Sequence, residues 1–288
     1  MSATSVGHAG PPVVVKIGGA AGVDLDGACE DIAELTRRGE RVVVVNGGSD
    51  AGERLLSSLG LARREATTVS GNVVRLTDAP TLRALTMAWV GEVNKAVVLA
   101  LLARGVSAVG LCGADGRVLT ANRRAPLKLQ EEGRVRIDRE HLAGEVTDIN
   151  VALLDALASV GQVPVICPPA VTADHVLVNV DADQVAAALA VRLGARALVM
   201  LSNVPGLLAD PAEPSSLVRE SDDARGSMRL ARGRMRYKLE AAARALEGGV
   251  PVVHVSAARA ARPVFCALEG LGGTRFTQPG RAVADAGA

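Results

Sequence analysis

The chain has 288 residues, with 32 Lys+Arg against 31 Asp+Glu and a formal net charge of +1. That balance argues against a dedicated nucleic-acid binder, which carries a strong basic excess, and 1% aromatic content is too little for base-stacking platforms. The 49% hydrophobic fraction suits a folded chain whose core is built from Val, Leu, Ala and Ile, as one large domain or two small lobes.

Residues 1–11 are small and polar and predict a disordered end, as do residues 278–288. Val13–Ile17 is a β-branched run ended by Gly18-Gly19. A helix follows over Leu25–Arg38 and stops at Gly39. Arg41–Val45 predicts a strand into Asn46-Gly47-Gly48, and Ser49–Leu59 a helix. Ala79–Arg104 reads as one long helix ended by Gly105, Ser107–Leu111 as a strand, and residues 117–140 as hairpin strands without helical period. Helix Asn150–Val160, strands Val163–Cys167 and Val176–Val180, helix Ala182–Leu193, strand Ala197–Leu201, helix Met235–Leu246 and strand Pro251–Ser256 complete the pattern. Continuous apolar strands between helices predict a mainly parallel sheet covered on both faces. The expected fold class is α/β, a three-layer α/β/α sandwich with two lobes on one sheet. The lobes are expected at residues 12–172 and 173–277, with a soft boundary near Pro168–Asp174.

Cys29, Cys112, Cys167 and Cys266 form no CxxC pair, so no zinc site is expected, and no metal ligand is assigned to the protein. The apolar runs are shorter than the roughly 20 residues of a membrane span, and no secretory signal is legible. Together these predict a cytoplasmic protein with no membrane and no nucleic-acid partner.

In open α/β sheets ligands sit where strand ends meet helix N-termini. Three glycine turns lie at such places: Lys16-Ile17-Gly18-Gly19, Asn46-Gly47-Gly48-Ser49 and Ser202-Asn203-Val204-Pro205-Gly206. Glycine lets backbone N–H groups approach an anion. No Walker A pattern and no early GxGxxG occur, which disfavours P-loop and dinucleotide-binding proteins. Lys16 is a charge in an apolar strand and needs a partner, a ligand or an exposed strand end. Taken alone, Lys238 reads as a solvated lysine, and Asp183 as a helix cap or first-turn acid.

In order and spacing, Lys16-Ile17-Gly18-Gly19, Asn46-Gly47-Gly48, Arg75-Leu76-Thr77-Asp78, Asn179-Val180-Asp181-Ala182-Asp183-Gln184 and Gly233-Arg234-Met235-Arg236-Tyr237-Lys238 resemble the amino acid kinase family over residues 13–277. The chain resembles its N-acetylglutamate kinase branch. Gly71-Asn72-Val73-Val74-Arg75-Leu76-Thr77-Asp78 and Leu201-Ser202-Asn203-Val204-Pro205-Gly206-Leu207-Leu208 are similar to the branch acting on carrier-linked aminoadipate or glutamate. The resemblance implies ATP with Mg²⁺, a carboxylate acceptor and an acyl phosphate product. It implies that Lys16 and Lys238 act on the transferring phosphoryl group and the leaving side, with Asp183 holding both. It places Gly18, Gly19, Gly47 and Gly48 as backbone donors, and Arg75 and Asn179 on the acyl substrate. Ser202, Asn203, Gly206 and Leu207 fall on the nucleotide side. It further implies acyl-substrate binding and dimerisation by the N-terminal lobe, ATP binding by the C-terminal lobe, a homodimer and a downstream acyl-phosphate reductase.

A carboxylate needs no general base to attack phosphorus, which fits the position of His8, His141, His175 and His254 outside every motif. Asn46 departs from the family's second turn, which usually begins with His; Ser49 stands where acetylglutamate kinases often have a third Gly, and the carrier branch also has Ser there. Between Arg117 and Arg139 stand seven basic residues, among them Arg123, Arg124 and Lys128, against three acidic ones. Such a stretch can steer a small acidic amino-group carrier protein, or is simply a solvated hairpin. Arg63-Arg64 extend it. Two other readings remain: N-acetylglutamate as free substrate, and a non-catalytic nucleotide or amino-acid sensor. The sensor predicts damage at Lys16, Asp183 or Lys238.

Overall fold

The computed structural model describes residues 10–20, 24–61, 64–69, 71, 73–131 and 134–278. Of the ends expected to be disordered, 1–11 and 278–288, residues 1–9 and 279–288 lie outside the described residues, as does Arg63 of the basic stretch. In chain order the first elements are β1 (Val13–Ile17), α1 (Leu25–Arg37), β2 (Val42–Asn46), α2 (Ser49–Ser58), β3 (Glu65–Thr67) and β4 (Val73–Arg75). A single helix then runs over Ala79–Leu102. It consists of α3 (Ala79–Thr86), a π-helical stretch Met87–Asn94, and α4 (Lys95–Leu102). There follow β5 (Ala108–Cys112), β6 (Leu119–Arg123), β7 (Leu127–Glu131), β8 (Arg134–Asp138), β9 (Gly144–Ile149), α5 (Val151–Ser159), β10 (Val163–Cys167), β11 (Ala170–Val171) and β12 (Leu177–Val178). The remainder is α6 (Ala182–Arg192), β13 (Ala197–Ser202), β14 (Glu220–Ser221), α7 (Arg234–Glu247), β15 (Val252–Ala257), α8 (Pro263–Leu268) and β16 (Thr274–Thr277).

Eight strands form the central sheet in the order β14-β16-β15-β13-β1-β2-β10-β5. All neighbours are parallel except β15 and β16. Strand periodicity decides what covers each face, because successive side chains point to opposite sides. Val13, Val15 and Ile17 of β1 join Val42 and Val44 of β2 against α1, α4 and α8. Val14 of β1 and Val43 and Val45 of β2 pack against α5, α6 and α7. The three layers predicted from the apolar strands are therefore present. By the same alternation Lys16 shares the face of Val14, and meets α6 and α7 rather than solvent.

Ala79–Leu102, with a mean hydropathy of 1.5 in its most apolar window, is long and apolar enough to cross a membrane by composition. Its Leu82, Leu85, Trp89, Val97, Val98 and Leu101 are buried in this fold, while Met87, Leu99 and Leu102 stay exposed. The segment 117–140 is not one hairpin. β6 leaves to pair with β9 and β11 in a four-stranded sheet, and only β7 and β8 form the hairpin. The short β3–β4 pair abuts that hairpin through a bridge between Thr68 and Leu129. β9, α8 and β16 are elements the apolar pattern did not reveal. α8 is fixed by Asp31 of α1, fully buried, whose carboxylate accepts from the Val264 and Phe265 N–H groups at 2.9 and 3.2 Å.

Candidate active site

The C-terminal ends of β1, β2 and β13 lie side by side, with Lys16 registered on Val45 and Met200. The turns that follow β1 and β2 touch through their backbones. A Cβ built on Gly19 would fall on the Gly48 amide, so no other residue fits there. Gly47 donates its N–H to Ile17 O at 3.0 Å, and Asp50 N donates to Gly19 O at 2.7 Å. Asn46, which departs from the usual His, is buried and faces the protein. Its Nδ2 donates to Gly47 O at 3.2 Å and its Oδ1 accepts from Asn94 Nδ2 at 2.9 Å. Trp89 Nε1 donates to Gly48 O at 3.1 Å, and a Cβ on Gly48 would strike the indole. Both Trp89 and Asn94 belong to the π-helical stretch, a local widening that often marks functional sites.

Below the turns lies a buried charge cluster. Lys16 Nζ is 2.6 Å from Asp183 Oδ1, and Lys238 Nζ is 3.1 and 3.0 Å from the two Asp183 oxygens. Asp181 positions the carboxylate: it caps α6 by accepting from Asp183 N and Gln184 N at 2.9 and 3.1 Å, which puts Asp183 in the first helical turn. Burial works hardest against the ionised Asp183, yet Lys16 and Lys238 outweigh it and hold its carboxyl well below the usual carboxylate range. Burial also pulls hardest on Lys16, but Asp183 and then Asp181 raise its pKa. Lys238 is lowered, first by burial and then by the charge of Lys16. Two ammonium groups thus share one buried carboxylate, an arrangement suited to an incoming anion.

The rim adds guanidinium groups. Arg75 closes β4, pairs with Glu53 of α2, and has its pKa lowered by burial and then by Arg234. Arg234 opens α7, and its Nη1 donates to Ser49 Oγ at 2.9 Å. Ser49 in turn donates to Gly19 O at 2.8 Å. Asn179 is tied to two loops: its N–H reaches Leu142 O at 2.7 Å and its Nδ2 reaches Thr77 Oγ1 at 3.4 Å. His141 Nδ1 accepts from Thr77 N at 3.0 Å, and burial lowers its pKa. Ser202 is buried at the end of β13, Asn203 is exposed, and a Cβ on Gly206 would press on Thr274 Oγ1 at 2.6 Å. Leu207 is 1% exposed, and its N–H is committed to Thr274 Oγ1 at 2.8 Å. In the hairpin region, Arg124 and Lys128 are exposed, whereas Arg123 turns its guanidinium onto the carbonyls of Arg139 and His141. Among the described residues no group of three or more His, Cys, Asp or Glu side chains is placed to hold a metal.

The structure therefore brings Lys16, Asp183, Lys238, Gly18, Gly19, Gly47, Gly48 and Arg75 to one end of the sheet. The sequence assigned none of Trp89, Asn94 and Arg234 to the site. Their partners are backbone, side-chain amide or hydroxyl groups far away in the chain, and the position of Arg234 four residues before Lys238 was the one available signal.

Paired buried lysines under glycine turns suit a phosphate-bearing anion, and the named relatives of the chain are phosphotransferases. The model of the amino acid kinase family matches residues 11–256, and the chain belongs to that family. It is 41% identical over 264 residues to the LysW-aminoadipate kinase of Thermus thermophilus, covering 90% of this chain and 98% of that one. It is 38% identical over 250 residues to the acetylglutamate kinase of Sorangium cellulosum, covering 85% of this chain and 86% of that one. In fold it is similar to smu.665 from Streptococcus mutans, with a TM-score of 0.74 and 23% identity over 92% of this chain and 98% of that one.

Proposed function

We propose that the protein is an ATP-dependent kinase that phosphorylates the side-chain carboxylate of glutamate or 2-aminoadipate whose α-amino group is held by a small acidic amino-group carrier protein. The observation that carries this reading is the buried Lys16–Asp183–Lys238 cluster beneath two interlocked glycine turns. Similarity to the Thermus kinase over nearly the whole of both chains favours the carrier-linked acceptor.

A carboxylate oxygen attacks the γ-phosphorus, the bond from that phosphorus to the β–γ bridging oxygen breaks, and ADP leaves with the electron pair. The products are an acyl phosphate and ADP. No proton moves, so positioning and positive charge are what the protein must supply. Lys16 neutralises the phosphoryl oxygens in flight, Lys238 the β/γ-phosphates, and Asp183 keeps both ammonium groups apart and aimed. Gly18, Gly19 and Gly48 offer N–H groups to phosphate and to the attacking carboxylate, while Gly47 shapes the turn. Arg75 exchanges Glu53 for the substrate α-carboxylate, and Asn179 holds the masked amino end. Ser202, Asn203 and Gly206 bound the nucleotide side, with Leu207 as the packing behind them. The donors present are cations and amides, which fit a triphosphate. Mg²⁺ would arrive on ATP, held by phosphates and water.

In this reading residues 12–172 bind the acyl substrate and residues 173–277 bind ATP. The exposed Met87, Leu99 and Leu102 offer a helix face for a homodimer. Arg124 and Lys128, with Arg123 bracing the loop beside them, form the carrier-facing surface. The enzyme is cytoplasmic, and a reductase consumes its acyl phosphate.

The test is Mg·ATP-dependent acyl phosphate, trapped as hydroxamate, with loaded carrier and N-acetylglutamate side by side. Preference for loaded carrier supports the proposal. Preference for N-acetylglutamate supports the second reading, which the Sorangium relative favours. Nucleotide binding without turnover of either substrate returns the protein to a sensor.

A further inference from the structure

Arg234 has a place in this site that the glycine turns and the buried lysines do not explain. Gly233, with φ 51° and ψ −129°, holds a positive φ that favours glycine and turns the chain sharply into α7. Arg234 is the first residue of that helix and Lys238 lies one turn later, so both project from the same face. Lys238 descends to Asp183, and Arg234 reaches across to Ser49 at the start of α2, immediately after the Asn46-Gly47-Gly48 turn. Its acceptor there is a neutral hydroxyl, and among the described residues it forms no ion pair. Its neighbour Arg232 is different, because that guanidinium is folded back on the carbonyls of Arg229 and Ala231. Arg234 also sits near enough to Arg75 to depress its pKa. Arg75 is paired with Glu53, and the added charge of Arg234 beside it and one turn from Lys238 favours a multiply charged anion at this end of the sheet.

We infer that Arg234 is a further catalytic residue of this site, bonding the transferring phosphoryl group from the α7 side while the glycine turns hold it from the other. The inference rests on the proposed kinase activity. Arg234 remains protonated throughout. Its planar fork spans two equatorial oxygens of the phosphoryl group as the bond to the leaving oxygen breaks and the bond to the carboxylate oxygen forms.

The test compares the full-length wild type with Arg234→Ala and Arg234→Lys in the hydroxamate assay, with and without added guanidinium. Arg234→Ala should lower kcat by about 100-fold and change the KM for Mg·ATP by less than about threefold, as for loss of one transition-state donor. Guanidinium should restore part of the alanine variant's rate, and Arg234→Lys should fall between. Wild-type kcat in Arg234→Ala, or a loss that guanidinium does not restore and that follows a lowered Tm, overturns the assignment. A second measurement needs no acceptor: calorimetric binding of Mg·ADP with aluminium fluoride, a phosphoryl mimic. Arg234→Ala should weaken the fluoride complex by about 100-fold while binding Mg·ADP alone as the wild type does. Equal binding of the fluoride complex by both proteins also overturns it. If the wild type phosphorylates neither acceptor, the kinase reading fails and the catalytic role of Arg234 with it, and the binding comparison then shows only whether Arg234 contacts a phosphoryl mimic.

Discussion

The floor of the site and the hairpin above it both carry positive charge, and they use it in opposite ways. In the floor, Lys16, Asp183 and Lys238 are at most 7% exposed and lock one another at 2.6–3.1 Å. Just before and within the hairpin, Arg124, Lys128, Arg134 and Arg136 are exposed, and Arg136 pairs with Glu131 in water. Buried charges act at contact range and are poorly screened, so their geometry is fixed and each removal leaves a partner stranded. Exposed charges act over about a Debye length of 10 Å, so only their sum and sign matter. Under the proposed function, the chemistry falls to the floor and partner choice to the hairpin.

Breaking the floor gives the largest effect. Asp183→Asn leaves two buried ammonium groups against each other. Hydroxamate formation should fall by at least about 1,000-fold and the Tm should drop, as for a buried ion pair that loses one member. Either lysine replaced by Met removes one electrostatic stabiliser and should cost about 100- to 1,000-fold in kcat. A Lys16→Met enzyme within about tenfold of wild type would exclude the phosphoryl role given to it.

Acid should expose the same contrast in stability. The folded-state pKa of Asp183 is depressed, so its contribution is present above the ordinary value of about 4 and is lost as pH falls through the folded value. His254 of β15 is buried, and burial and then Arg275 push its pKa down to about 4 from 6.5. Its neutral ring therefore supports the fold above pH 6.5, and this support declines as pH falls from 6.5 towards about 4. The Tm should decline across that window, and His254→Leu should flatten the decline. An unchanged slope in that variant would remove His254 from the account.

The hairpin should respond to a different perturbation. Reversal of Arg124 and Lys128 to Glu should lower kcat/KM for a loaded acidic carrier about tenfold and make it less sensitive to salt, leaving N-acetylglutamate within about twofold. Equal losses on both substrates would mean that the patch acts on the site itself. Between floor and hairpin lies the support of the second turn. Trp89→Phe keeps most of the packing on Gly48 but deletes the N–H···O bond, and should cost about threefold to tenfold in kcat/KM, roughly one neutral hydrogen bond. A stopped assay on purified protein distinguishes that loss from none.

What could be read from the chain follows the same division. Lys16 was legible because a charge in Val13-Val14-Val15-Lys16-Ile17 has no reason to be there on packing grounds, and the glycine turns because they end apolar strands. The layers were legible from the same runs. α8 was not: it has six residues, and the carboxylate that holds its first turn comes from Asp31, far away in the chain, while Arg262 stacks locally 4.3 Å above the Phe265 ring. β3 and β4 have three residues each, too few for an alternation to register. The site's backing had a similar fate. Trp89 in an apolar helix reads as core, and its N–H bond to Gly48 O joins residues 41 apart, which leaves no local signal. The closing of the basic stretch into two sheets depended on β9, whose mixed Gly-Glu-Val-Thr-Asp-Ile sequence carries little strand signal of its own.

Trp89 is the only tryptophan in the sequence. Because its indole rests on the glycine turn, the protein carries a natural optical reporter at the place where the acceptor is expected to dock. Emission from the unlabelled enzyme can follow ligand arrival in real time, uncontaminated by any second indole. Stopped-flow traces would then separate the order in which nucleotide and acyl carrier enter, without a dye, a tag or a mutation.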